Sequence, residues 1–124
     1  MRRADPARSA AYEVLRRCFE HGAWADRAFP AAAERHGLEG RARARGQWLA
    51  FGAVQRRGTT DALVARLGKR DPERMDGPVA AALRLGMFEL LYAGRAADHA
   101  AVGDAVELAK KGMREGGPRR ASAA

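Results

Sequence analysis

The sequence predicts an all-α fold, and three observations carry that prediction. Alanine supplies 29 of the 124 residues while isoleucine and asparagine are absent, an alphabet rich in helix formers and poor in strand formers. Apolar residues recur at helical spacing. Caps and breakers then divide the chain into about six segments, a bundle followed by a mobile basic tail. The length suits one domain with a single modest core.

The first helix begins at Asp5, a good N-cap, and Pro6, a good first-turn residue. Ala7, Ala10, Ala11, Val14, Leu15, Cys18 and Phe19 form its apolar stripe, so Arg8, Arg16 and Arg17 are expected to face solvent or a ligand, and Gly22 stops the helix. A second, shorter helix is expected over about 26–36, with Pro30 tolerated in its first turn. The third spans about 41–57, from a polar Arg41–Arg45 end into an apolar body of Trp48, Leu49, Phe51, Gly52 and Val54. Gly46 and Gly52 each cost about 1 kcal/mol of helix propensity relative to alanine, which points to close packing there. Gly58-Thr59-Thr60 is expected to break the chain and cap a short fourth helix with Leu63, Val64 and Leu67.

The run from Lys69 to Pro78 reads as a loop by its prolines and charges. A fifth helix follows, with Val79, Ala82, Leu83, Gly86, Met87, Leu90 and Leu91 as its expected buried stripe and Gly94 as its end. Asp98 is placed to cap a sixth helix with Ala101, Val102, Ala105, Val106 and Ala109 inward, and Lys110 and Lys111 at its partially negative C-terminal end. The expected domain is residues 6–112, and residues 113–124 lack periodicity.

The net charge of +8 is unevenly spread. Residues 1–58 hold twelve arginines and six acids, residues 59–112 balance, and the tail adds +2. A basic half on a small domain is the footprint of a polyanion-binding face, with solvated arginines from a biased composition as the alternative. Arginine suits phosphate because its planar fork donates two parallel hydrogen bonds and stays charged. The candidates are Arg2, Arg3 and Arg8 at the start of the first helix, Arg56 and Arg57 at the end of the third, and Lys110 and Lys111.

Other function classes find less support. No apolar run approaches the roughly 18–20 residues that cross a bilayer, and the N-terminus lacks the apolar stretch of a secretory signal. The lone Cys18 fits a reducing cytoplasm and, with three histidines, gives no zinc spacing and no intramolecular disulfide. On a buried stripe its thiol is an apolar filler with a raised pKa. Glu89 and Glu107 are expected on solvent faces of different helices, His99 follows the cap Asp98, and no catalytic set, metal site or cofactor is expected. The spacing Gly52 to Gly58 is no phosphate loop, since no Gly-Lys-Ser/Thr follows. Trp48, Phe51 and Phe88 are stacking candidates by type, though helical spacing favours core. No short helix carries the polar residues with which a helix-turn-helix reads DNA.

The residues also resemble a known family. Leu83-Arg-Leu-Gly-Met-Phe-Glu-Leu-Leu-Tyr92, then His99-Ala-Ala-Val-Gly-Asp-Ala-Val-Glu-Leu-Ala-Lys110, are similar to the NusB-type antitermination domain, and Ala7–Leu15 and Phe51–Thr59 fit it in the same order. His-Ala-Ala-Val and Arg-Arg-Gly-Thr resemble more the N-terminal domain of bacterial small-subunit ribosomal RNA cytosine-5 methyltransferases of the Sun/Fmu type. The resemblance implies an all-helical RNA-binding domain, with Arg2, Arg3 and Arg8 at the RNA-contacting start of the first helix and Arg56 and Arg57 at the basic end of the third. It implies RNA as partner, ribosomal or leader, together with a methyltransferase domain or a small ribosomal protein.

The chain departs from the family at Ala96-Ala97-Asp98, where prolines are usual, at Gly103-Asp104, where Asn-Glu is usual, and at Arg45, usually apolar. Nothing matches the family's last helix or the enzyme's S-adenosylmethionine-binding domain with its two cysteines, so these residues alone are not expected to methylate. A partly uncovered apolar groove is expected instead, favouring lower stability or a homodimer.

Overall fold

The computed structural model describes residues 4–94 and 98–115, leaving aside the side chain of Asp98. The expected Asp98 cap, Arg2, Arg3 and most of the tail lie outside the described residues. Six α-helices and one short 3-10 turn make up the described chain.

Helix α1 (Pro6–His21) forms where expected. The Asp5 carboxylate accepts the Arg8 backbone N–H at 3.2 Å, Pro6 opens the first turn, and Gly22 closes the helix at a left-handed φ of 70°. Ala7, Ala10, Ala11, Val14 and Leu15 are buried, with Cys18 and Phe19 at the edge of the same cluster. Fully burying a side chain such as Leu15 contributes about 1.5–3 kcal/mol. Helix α2 (Ala25–Arg35) adds Phe29, Ala32 and Ala33. Pro30 sits one turn deeper than expected, facing solvent, so the missing N–H costs one hydrogen bond near the helix start.

Helix α3 (Gly40–Gln55) lies against α1, and both of its internal glycines mark close approaches, as expected. A Cβ at Gly46 would stand 2.9 Å from Leu38 Cδ1, and one at Gly52 would overlap the Phe88 ring. The break between α3 and α4 (Arg57–Gly68) falls at Arg56, so Gly58, Thr59 and Thr60 lie inside α4 rather than capping it. Thr60 is fully buried and donates its hydroxyl to the Arg57 carbonyl at 3.2 Å. The expected loop contains a 3-10 turn, Pro72–Arg74, capped by Asp71.

Helix α5 (Gly77–Tyr92) touches α1, α3, α4 and α6. Its buried face is rotated from the expected stripe: Ala81, Ala82, Leu85 and Phe88 enter the main core, while Val79, Leu90 and Leu91 are exposed. A helix apolar nearly all round does not announce its inward face. Helix α6 (Asp98–Arg114) behaves alike, burying Ala101, Asp104 and Leu108 and exposing Val102 and Val106. It runs three residues past Lys111, and Gly112 is buried where a side chain would collide with Tyr12 and Pro78. A second, smaller cluster of Val64, Met75 and Ala80 seats α4 and the 3-10 turn on α5.

Candidate nucleic-acid interface

Arg8 does not face a ligand. It is 6% exposed, and its guanidinium points inward to Glu89 of α5 and Asp104 of α6, themselves 1% and 2% exposed. Nε donates to Glu89 Oε1 at 2.8 Å and Oε2 at 3.0 Å, Nη2 also reaches Oε2, and Nη1 donates to Asp104 Oδ2 at 2.9 Å. The Asp5 backbone N–H adds a bond to Asp104 Oδ2 at 3.0 Å. Arg45 bridges from α3 to Asp5 and to Glu89 Oε2, the latter at 3.3 Å. The hydrogen bonds that Arg8 donates to Glu89 chiefly, against the cost of burial and with help from Asp104, raise the Arg8 pKa above the usual arginine value. Glu89 is therefore a paired core residue and not a solvent-facing one. The signal lay in the pattern: Glu89 shares a face with Leu85 and Ala82, and Asp104 with Ala101 and Leu108. A charged residue on an apolar stripe implies a buried partner.

Arg57 is also engaged. It approaches Asp61 at 3.7 Å, pairs with Glu73, and stacks over Phe19 with Cζ 4.8 Å from the ring centre. Arg84, 1% exposed, shares these partners, donating to both Asp61 oxygens at 2.8 Å and to Glu73 at 3.1 Å. Arg56, by contrast, is exposed, with Cζ 5.1 Å from the Tyr92 ring centre. Lys110 and Lys111 are exposed on the last turns of α6.

One concavity gathers cations. A groove of about 440 Å³ between α1 and α6 is lined by Arg16, Arg17, His21, His36 and Lys111, with the acid Glu115 and the buried Tyr12 and Leu108 also in its wall. Arg16 is neutralised by Glu20 through bonds of 2.7 and 3.0 Å. Glu13, also in the lining, pairs with Arg35 and lies 3.2 Å from His36 Nε2. Burial pushes the Glu13 carboxyl up, but hydrogen bonds from Arg35 and His36 outweigh it and hold it below the usual range. The Tyr12 hydroxyl closes no good hydrogen bond among the described residues, and burial, only partly offset by Arg16, pushes its pKa up to about 12. Arg17 and Lys111 remain as exposed cations with no ion pair among the described residues.

Of the residues expected from sequence to contact RNA, Lys111 enters this groove, Lys110 is exposed on the same helical end, and Arg56 lies elsewhere, at the break between α3 and α4. Arg8 and Arg57 are held by carboxylates. Burial pushes the Cys18 thiol up in pKa, in keeping with a packing role. No group of three or more metal-binding side chains exists among the described residues, and no helix among them is long and apolar enough to cross a membrane.

Among the described residues the elements are all helical, and exposed cations without ion pairs include Arg17 and Lys111 on the groove and Arg41 and Arg56 along α3 and its end, besides others such as Arg66 and Arg70. The NusB family model matches residues 5–119, and the chain belongs to the NusB family. It is 38% identical over 105 residues to two proteins of Mycobacterium tuberculosis, "Putative methyltransferase Rv1407" from strain H37Rv and "Putative methyltransferase MT1451" from strain CDC 1551. That match covers 85% of this chain but 23% of theirs, so the chain spans about a quarter of the length of these curated relatives. Among solved structures, a complex of the antitermination factors NusB and NusE with double-stranded RNA aligns with a TM-score of 0.77 and 25% identity, over 86% of this chain and 80% of that one. A structure described as a plectonemic RNA supercoil gives 0.77 and 26%, over 86% and 78%.

Proposed function

We propose that this chain is an RNA-binding module that presents ribosomal RNA to a cytosine-5 methyltransferase domain. The observation that carries this reading is the higher identity to the two mycobacterial proteins named as methyltransferases, 38% against 25% for the antitermination-factor complex. Arg17, Lys110 and Lys111 supply phosphate contacts around the α1/α6 groove, Arg56 adds one at the end of α3, and Arg2 and Arg3, outside the described residues, remain candidates from the sequence. These residues bind and orient; the chemistry belongs to the partner domain. The solved complex, which carries NusB with NusE and double-stranded RNA, favours a second reading as an antitermination factor acting on leader RNA with a small ribosomal protein.

Two measurements separate the readings. Affinities for small-subunit ribosomal RNA fragments and for leader RNA, taken between about 50 and 200 mM salt, are expected to favour the ribosomal fragments, with a slope of about −0.7 per neutralised phosphate for single strands. Adding the small ribosomal protein is expected to leave affinity unchanged. A leader preference that appears only with that protein would establish the second reading. A salt-independent or absent interaction would remove both.

A further inference from the structure

The groove accounts for phosphate contacts, but a second feature points to the bases. Along α3, Arg41, Arg45, Trp48 and Gly52 recur at steps of three and four and so share one face, which Arg56, the residue that ends the helix, continues. No aspartate or glutamate occurs within the helix. Because Gly52 has no side chain, the Phe88 ring of α5 lies directly against this face. Trp48 then packs on Phe88 at 4.8 Å between ring centres, tilted by 52°, and Tyr92 packs on Phe88 at 5.1 Å, tilted by 31°. Arg56 completes the row over Tyr92. The middle ring is 3% exposed, yet Trp48 and Tyr92 are 46% and 40% exposed. The result is a pair of half-exposed aromatic surfaces, braced from beneath and flanked by cations.

We propose that Trp48 and Tyr92, with Arg56, form a stacking platform for unpaired RNA bases. The inference rests on the RNA-binding reading and specifies what RNA this face takes. Bases offer π-faces that stack on aromatic side chains without regard to sequence, and Arg41 and Arg56, the arginines of this line that hold no acid among the described residues, neutralise the connecting phosphates. An A-form duplex keeps its bases stacked internally, so the platform selects single strands, loops or ends. A protein partner would meet a face crowned by Arg41 and Arg56, both exposed and without ion pairs among the described residues, which fits a polyanion better.

The test uses the 124-residue chain carrying Trp24→Phe, which leaves Trp48 as its one tryptophan. Two probes are compared, an oligouridylate of about twelve nucleotides and an A·U RNA duplex of the same length. Stacking is expected to quench Trp48 emission with the single strand and not with the duplex. Added to that background, Trp48→Ala is expected to weaken single-strand binding about tenfold, Tyr92→Ala by several-fold, and Trp48→Phe only slightly, with duplex affinity unchanged throughout. Circular dichroism monitors the fold, and if Trp48→Ala unfolds, quenching together with the Trp48→Phe affinity decides. Unquenched emission with undiminished binding in both alanine variants would overturn the platform while leaving RNA binding intact. An alanine variant that changes self-association in sedimentation and not RNA affinity would do the same. Failure of the chain to bind either probe or any ribosomal fragment would remove the RNA reading itself.

Discussion

Arg8 and Arg84 are both buried arginines that each hold two carboxylates, yet their surroundings differ. The acids on Arg8, Glu89 and Asp104, have side chains 1% and 3% exposed. Those on Arg84, Asp61 and Glu73, are 18% and 45% exposed, and Arg57 shares them. The first cluster ties α1, α5 and α6 together and reaches α3 through Arg45. The second clips α4 and the 3-10 turn to α5 beside the small Val64–Met75–Ala80 cluster. One arginine chemistry therefore does two jobs: where water is excluded it holds the whole bundle, and where water reaches the acids it docks one corner.

The sharpest way to break this contrast is Arg8→Ala. It takes the principal cation from two carboxylates sealed from water, to which Arg45 and the Asp5 backbone N–H still reach, and such losses cost about 3–5 kcal/mol. Urea unfolding followed by circular dichroism is expected to show a drop of that size; less than about 1 kcal/mol would mean that water already reaches the cluster. Any loss of RNA binding in this variant is expected to follow unfolding rather than a lost phosphate contact.

Arg84→Ala is expected to cost less, about 1–3 kcal/mol, because Asp61 and Glu73 keep Arg57 and solvent. The loss should also be local. Amide hydrogen exchange is expected to quicken in α4 and the 3-10 turn before α1, as befits a separately opening unit. Equal acceleration in α1 would erase the distinction between the two regions.

The exposed cations supply the third arm. Arg17→Ala with Lys111→Ala is expected to shift stability by no more than about 0.5 kcal/mol, since neither makes an ion pair among the described residues. The same pair is expected to flatten the salt slope of single-strand RNA binding by about 1.4, two phosphates' worth. An unchanged slope would show that the α1/α6 groove does not meet RNA.

This division of arginines marks how far the sequence could be read. The order of the six helices, the α1 stripe with its Asp5 and Gly22 ends, and the close approaches at Gly46 and Gly52 follow from local rules, and local rules are visible in a sequence. The fate of Arg8 is not local: its partners lie 81 and 96 positions away, so only the folded chain brings them together. The inward face of α5 was hidden for another reason, since a helix in contact with four others is apolar on several sides and its period loses contrast. Trp48 was expected in the core by its spacing, and its half exposure comes from Phe88 taking the space at Gly52. The basic first half predicted a binding face, but Arg8, Arg16, Arg35, Arg45 and Arg57 spend their charge on acids within the fold. The proposed binding surface is therefore left to fewer arginines than the bulk charge implies, Arg17, Arg41 and Arg56 among them.

The smallest effect tests the solvent-facing end of the same comparison. Glu13 is 27% exposed and its partner Arg35 46%, so their pairing is screened and contributes modestly. Because the Glu13 pKa is lower in the folded chain than its usual value, folding favours the ionised form. Its contribution is thus fully present above the unfolded carboxylate pKa and is lost as pH falls through that value to the folded one. Glu13→Gln is expected to lower the urea midpoint slightly at neutral pH, and the gap to the parent chain should close on acidification through the carboxylate range. A gap that persists or widens at acid pH would show that Glu13 acts through packing on α1 and not through its charge. High salt at neutral pH should narrow the gap too, while leaving the loss caused by Arg8→Ala nearly untouched, since solvent ions screen the exposed pair and not the sealed one.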